Sequence, residues 1–106
     1  MTRQYRQGDL LFEYVPAAPA TAQPVQPEHG RLILARGEAT GHHHSVPATV
    51  GTLSLEEGGV MYLTVDELTA VTHQEHAPID LVPGVVRVTR QRECSIVDAM
   101  PRQVAD

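Results

Sequence analysis

A β-hairpin is predicted by the stretch Val50-Gly51-Thr52-Leu53-Ser54-Leu55-Glu56-Glu57-Gly58-Gly59-Val60-Met61-Tyr62-Leu63-Thr64-Val65. Two runs of strand-forming residues, 50–55 and 60–65, flank a connection that ends in paired glycines. Glycine adopts positive φ angles at little cost, so the pair suits a tight turn between antiparallel strands. The hairpin therefore indicates a chain that folds as β-sheet.

Further short strands are predicted on both sides of this hairpin. In the last of them, Val86 and Val88 alternate with Arg87 and Thr89, which is the period of a strand with one buried face. No segment shows a persuasive helical period, although residues 66–70 could open a single helical turn. The additional predicted strands span residues 9–15, 31–36, 42–46, 68–72 and 85–93.

Closely spaced short strands predict an all-β fold, either a small β-barrel or a sandwich. The 106 residues are enough for one domain with a modest core, so residues 1–106 are interpreted as a single β domain. Residues 16–28 hold four prolines and predict a Pro/Ala-rich loop, because proline cannot donate to a strand ladder. Residues 1–8 predict a polar lead-in that ends at Gly8, and residues 95–106 predict a polar C-terminal tail.

The charge and cysteine content narrow the range of functions. A net charge of -5 argues against non-specific nucleic-acid binding and against docking on anionic membranes, both of which need clustered positive charge. Cys94 is the only cysteine, so an intramolecular disulfide is excluded. The first residues are polar and no apolar run is long enough to span a bilayer, so we expect a cytoplasmic location.

Histidines gather in two short segments, the first of which is Gly41-His42-His43-His44. Alternate residues of a strand share a face, so His42 and His44 should project together, with their Cα atoms about 6.5–7 Å apart. His43 should point to the opposite face. Two imidazoles at this spacing can converge on one cation.

The second segment is Thr72-His73-Gln74-Glu75-His76. A turn at the end of a strand could aim His73 and His76 at the first pair. The sequence therefore predicts a site for a divalent transition metal (Zn, Fe, Ni or Mn), because imidazoles, alone or mixed with a carboxylate, suit these ions. Glu75 is a candidate catalytic residue, as a metal ligand or general base. Alternatively, these histidines are ordinary loop residues that hydrogen-bond to the backbone. The predicted metal ligands are His42, His44, His73 and His76.

The motifs resemble two groups of proteins. Gly41-His42-His43-His44 resembles the Gly…His-x-His signature of the cupins, and Pro83-Gly84 resembles the turn of their second motif. The cupin histidine that normally follows that turn is replaced here by Val86 and Arg87, whereas His73 and His76 precede it. The strings around both histidine pairs also resemble a group of small bacterial proteins of unknown activity. The cupin resemblance, over residues 36–90, implies a small β-barrel and a metal-dependent enzyme.

Three functions are compatible with these patterns. A cupin-like enzyme would use a bound metal on a small-molecule substrate, with Glu75 as proton shuttle. A non-catalytic ligand- or protein-binding module would use the metal for stability, since a small chain gains folding free energy from it. An accessory subunit would place the histidines at a contact in a homo-oligomer. Whether the protein is an enzyme is left open by the sequence.

Overall fold

The computed structural model describes residues 4–37 and 42–90, which confirm the all-β prediction. The predicted tail at 95–106 lies outside this range. Within it, no helix is long and apolar enough to cross a bilayer, and Ala48–Val50 form a short 3₁₀ helix. The strands are β1 (Gln4–Gln7), β2 (Leu10–Val15), β3 (Gln23–Val25), β4 (Arg31–Arg36), β5 (His43–Pro47), β6 (Gly51–Leu55), β7 (Met61–Val65), β8 (Thr69–Val71), β9 (Ile79–Leu81) and β10 (Gly84–Arg90).

The strands form one large antiparallel sheet and two small ones. The large sheet has the order β1-β2-β10-β7-β6-β3, while β4 pairs with β5 and β8 pairs with β9. The predicted hairpin is β6–β7, in which Leu53 lies opposite Leu63, and both Gly58 and Gly59 have the positive φ expected of the turn. The strands described do not close into a barrel, and the sandwich alternative fits the three open sheets.

The core lies on one face of the large sheet. On β2 and β10, alternate residues point inward, so Phe12 lies beside Val88 and both are almost completely buried. The same apolar cluster includes Leu32 and Leu34 of β4 and Val46 of β5, and it is completed by the last residues of β8 and β9, Val71 and Leu81. Burial of this aliphatic surface is the main favourable term in folding, at about 25 cal/mol per Å² of apolar area. The fully or nearly buried core residues are Leu10, Phe12, Leu32, Leu34, Val46, Val50, Leu53, Leu63, Val65, Val71, Leu81, Val86 and Val88.

Two strands form where the sequence predicts irregular chain. The polar residues 1–8 contain β1, because Tyr5 pairs with Phe12 and Gln7 is buried against the smaller sheets. The Pro/Ala-rich segment 16–28 contains β3, a three-residue strand at the edge of the large sheet. Pro24 is compatible with this position because a proline at a sheet edge does not remove a bond to a second neighbour.

Candidate metal centre

The two histidine segments meet through a short antiparallel contact. Ser45 of β5 and Thr72 form a bridge in which each backbone N–H donates to the carbonyl of the other, at 3.1 and 3.0 Å. Extending this register by one residue places His44 opposite His73. Directly opposite residues share a face of a sheet, so this contact brings the two predicted ligand pairs together.

The four predicted metal ligands, His42, His44, His73 and His76, form what we call the imidazole group. His73 is central in it: its ring centroid lies 4.3 Å from that of His44, 4.6 Å from that of His76 and 5.6 Å from that of His42. The rings of His44 and His76 are nearly parallel, with centroids 6.0 Å apart. The structure therefore brings together all four residues that the sequence singles out.

His44 is the buried member of the imidazole group, with 3% of its surface exposed. Its pKa is lowered from 6.5 to about 4, first by burial and then by repulsion from His73. Asp9 opposes this shift, while His76 and Arg90 add to it. Burial disfavours the charged imidazolium, so His44 is neutral at pH 7, the state that a metal ligand requires.

Gln7 contacts His44 from β1. Its Oε1 lies 2.7 Å from Nδ1 of His44, and its Nε2 donates to the backbone carbonyls of Val71 (3.1 Å) and Ala77 (2.9 Å). Gln7 is only 3% exposed. Burying an amide is unfavourable unless its polar atoms are hydrogen-bonded, and here both ends of the side chain have partners.

Gly8, at the turn between β1 and β2, lies directly against the rings. Its φ of +60° is in the left-handed region that favours glycine. A Cβ at this position would stand 2.9 Å from Nε2 of His76 and 3.4 Å from Cε1 of His44. The absence of a side chain therefore leaves the space that these imidazoles occupy.

Arg31 reinforces the contact that sets the register. Its Nε donates to Oγ of Ser45 at 2.8 Å, and its guanidinium also donates to the carbonyl oxygen of Ser45 and to Oγ1 of Thr72. Ser45 is completely buried, so these bonds satisfy polar groups away from water. One β4 side chain thus ties β5 to the segment that carries His73 and His76.

Glu75 and His43 take different positions relative to the imidazole group. The carboxylate of Glu75 lies 3.6 Å from Nδ1 of His42, and its side chain is 65% exposed. Oε1 of Gln74 accepts the backbone N–H of His43 at 2.8 Å, and His43 precedes His44 in β5, where successive side chains point to opposite faces. The candidate catalytic carboxylate is therefore at the rim of the group, whose ring contacts join His42, His44, His73 and His76.

Ring proximity is not yet metal-binding geometry. Among residues 4–37 and 42–90, no set of three or more His, Cys, Asp or Glu side chains is arranged to hold a metal ion. At His73, Nδ1 accepts the backbone N–H of Glu75 at 3.0 Å. A neutral imidazole that accepts at Nδ1 carries its proton on Nε2. Binding a metal through Nδ1 would displace the Glu75 N–H, and binding through Nε2 would move the proton to Nδ1, so either ligation requires this bond to break.

Three residues at this site are not signalled by the sequence. Gln7 and Gly8 fall in a segment that the sequence presents as a polar lead-in, and Arg31 stands at the start of an apolar run. Their contacts join parts of the chain that are distant in sequence: Gln7 and Gly8 lie against His44, and Arg31 bonds to Ser45 and Thr72. The positive φ of Gly8 follows a common preference of glycine, but its contact with His76 does not follow from local sequence.

The chain belongs to a family described as a domain of unknown function, DUF8820, whose model matches residues 6–91. No curated protein and no solved structure matches the chain. The matched range contains every residue of the imidazole group together with Gln7, Gly8 and Arg31.

Proposed function

We propose that the imidazole group binds one divalent transition-metal ion, such as Zn, Fe, Ni or Mn. The observation that carries this proposal is the convergence of four imidazoles from two distant segments, with ring centroids 4.3–6.0 Å apart in the pairs that are in contact. Three further imidazoles gain no charge stability from gathering around a buried His44. A shared cation would explain the arrangement.

The donor set fits such an ion. Two imidazoles that bind one tetrahedral metal through nitrogens at roughly 2.0–2.1 Å have ring centroids about 5 Å apart. The separations around His73 lie on both sides of that value, so a shared ion would require the rings to rotate toward a common point. Neutral imidazole nitrogens suit borderline metals such as zinc and nickel.

The number of ligands separates a catalytic site from a structural one. If the bond from the Glu75 N–H to His73 persists, three imidazoles remain as ligands and the metal keeps an open position, as in catalytic sites. If His73 rotates and binds, four nitrogens close a site of the structural kind. The first outcome supports the cupin-like enzyme, and the second supports a metal-stabilised binding module.

Glu75 is the carboxylate that an enzyme at this site would use. It lies beside His42 and is accessible to water, so it could take or release a proton next to a metal-bound substrate or water. The substrate would be a small molecule, because the rings lie close to one another and the domain is small. The proposal therefore implies a reaction in which the metal would polarise this small molecule or a water, while Glu75 would transfer a proton.

The test is the metal content of protein purified without an affinity resin, followed by zinc titration of the metal-free chain. We expect about one ion per chain and a higher melting temperature when it is bound, because a ligand that binds only the native state stabilises it by mass action. His44→Ala should abolish both effects. His43→Ala is the matched control, since it deletes the same side chain from the neighbouring position of β5, where successive side chains point to opposite faces.

Two results would contradict the proposal. One is a wild-type chain that neither contains metal nor responds to zinc. The other is an equal loss of zinc affinity in His43→Ala and His44→Ala, which would show that the register of β5 is irrelevant to binding.

A further inference from the structure

The orientation of the Gln7 amide is fixed by its backbone contacts. Two carbonyl oxygens, of Val71 and Ala77, lie 3.1 and 2.9 Å from one end of the amide. Carbonyl oxygens only accept hydrogen bonds, so the NH2 group must face them. The amide oxygen of Gln7 must then face His44.

This orientation determines the position of the proton on His44. An amide oxygen only accepts, so Nδ1 of His44, 2.7 Å away, must be the donor. A neutral imidazole, the form that binds a metal, carries only one N–H, and the contact with Gln7 assigns that N–H to Nδ1. Nε2 of His44 therefore keeps a free lone pair.

We infer that Gln7 is a positioning residue that selects the Nδ1–H tautomer of His44 and so makes Nε2 the nitrogen that binds the metal. The inference rests on the proposed metal site. In metal centres, a hydrogen bond to the non-ligating nitrogen fixes both the tautomer and the ring orientation of a histidine ligand. In this chain a buried glutamine supplies that bond.

The same side chain also holds the segment that carries the second histidine pair. Val71 and Ala77 flank residues 72–76, and the NH2 group of Gln7 bonds to both. One buried amide therefore fixes the His44 ring on β5 and both ends of the segment with His73 and His76. Loss of Gln7 should affect the two halves of the imidazole group together.

The tautomer can be measured on metal-free protein by nitrogen NMR of the imidazole rings at pH 7, with His44 assigned by comparison with His44→Gln. We expect the Nδ1–H form in the wild type, although free histidine favours Nε2–H. Gln7→Met should shift His44 toward Nε2–H. Gln7→Glu should keep Nδ1–H, because a carboxylate also accepts, while it loses both donors to the backbone.

Zinc titration supplies the second readout. We expect Gln7→Met to weaken zinc binding about 10–100-fold, the usual effect of losing such a support, and Gln7→Glu to weaken it less. Gln4→Met is the matched control: Gln4 lies on the other face of β1, exposed and bonded to Glu13, so zinc affinity and the His44 tautomer should not change.

An Nε2–H tautomer in the wild type overturns the inference, as does a Gln7→Met variant with unchanged tautomer or zinc affinity. If Gln7→Met does not fold, the wild type and Gln7→Glu still decide the tautomer. A wild type with the Nδ1–H tautomer that binds no zinc would refute the metal site, and with it the ligand role of Nε2, while leaving the control of the tautomer by Gln7 established.

Discussion

Acid should destabilise the metal-free protein through His44 in a defined pH window. The unfolded chain takes up a proton on this side chain near pH 6.5, whereas in the folded chain its pKa is lowered to about 4. Between these values the unfolded state binds the extra proton. The free energy of unfolding should therefore fall as the pH drops from about 6.5, and the loss should be complete near pH 4.

The size of this effect follows from the gap between the two values. One pH unit corresponds to about 1.4 kcal/mol, and the gap of roughly 2.5 gives about 3 kcal/mol. His44 is almost fully buried, so solvent screening does not reduce this figure much. Small domains have unfolding free energies of about 5–15 kcal/mol, so the loss should be easy to detect.

Urea unfolding of the metal-free protein, in the presence of a chelator and at pH values from 7.5 to 4, would measure this loss of unfolding free energy. The comparison is with His44→Gln, which keeps a polar side chain at the position but does not titrate. The other histidines are present in both proteins, so the difference between the two curves isolates His44. Wild type should lose stability relative to the variant by up to about 1.4 kcal/mol per pH unit below pH 6.5. Parallel curves over this range would refute the reasoning.

Three further predictions concern the contacts around the site and the hydrophobic core. Gly8→Ala should abolish zinc binding and lower the melting temperature by more than Gly58→Ala does. Both glycines have a positive φ, but a Cβ at Gly8 would meet His76, whereas one at Gly58 would meet open space. Equal effects of the two substitutions in zinc titration and thermal melts would contradict this prediction. Arg31→Met should lower the free energy of unfolding in urea by about 2 kcal/mol and weaken zinc binding, because the guanidinium joins Ser45 to Thr72. Arg36→Met should lower it by about 1 kcal/mol or less, because Arg36 pairs with Glu28 at the surface. A larger loss in Arg36→Met would count against the role of Arg31. Leu63→Ala should lower the free energy of unfolding by about 2–5 kcal/mol in the same assay, because Leu63 is fully buried. Leu55→Ala should lower it much less, because Leu55 is partly exposed. Similar losses in the two variants would contradict the assignment of Leu63 to the core.

Local sequence predicts most of the strands because their signals are local. The hairpin of β6 and β7 follows from two strand-forming runs and the paired glycines Gly58 and Gly59. The alternation of Val86 and Val88 with polar neighbours likewise predicts which face of β10 is buried. These features depend on periodicity and on the conformational range of glycine, both of which are readable within about ten residues.

Local sequence does not predict β1 and β3, which depend on pairing with β2 and β6 and, in β1, also on contacts distant in sequence. β1 contains Gln4, Arg6 and Gln7, which are poor strand signals by themselves. It forms because Tyr5 pairs with Phe12 and because the Gln7 amide reaches backbone carbonyls more than sixty residues away. Tertiary context often overrides the β propensity of single residues, as it does at this edge.

The candidate site shows the same division between local and distant information. The sequence identifies the four imidazoles, and the alternation along β5 predicts that His42 and His44 differ from His43 in direction. It does not predict that His44 lies opposite His73, because that depends on the pairing of Ser45 with Thr72. A shift of this pairing by one residue would place His43, instead of His44, opposite His73. His73 would then share a face with His43 and no longer with His44. The residues that hold the register, Arg31 and the buried Ser45, therefore contribute as much to the site as the side chains that would bind the metal.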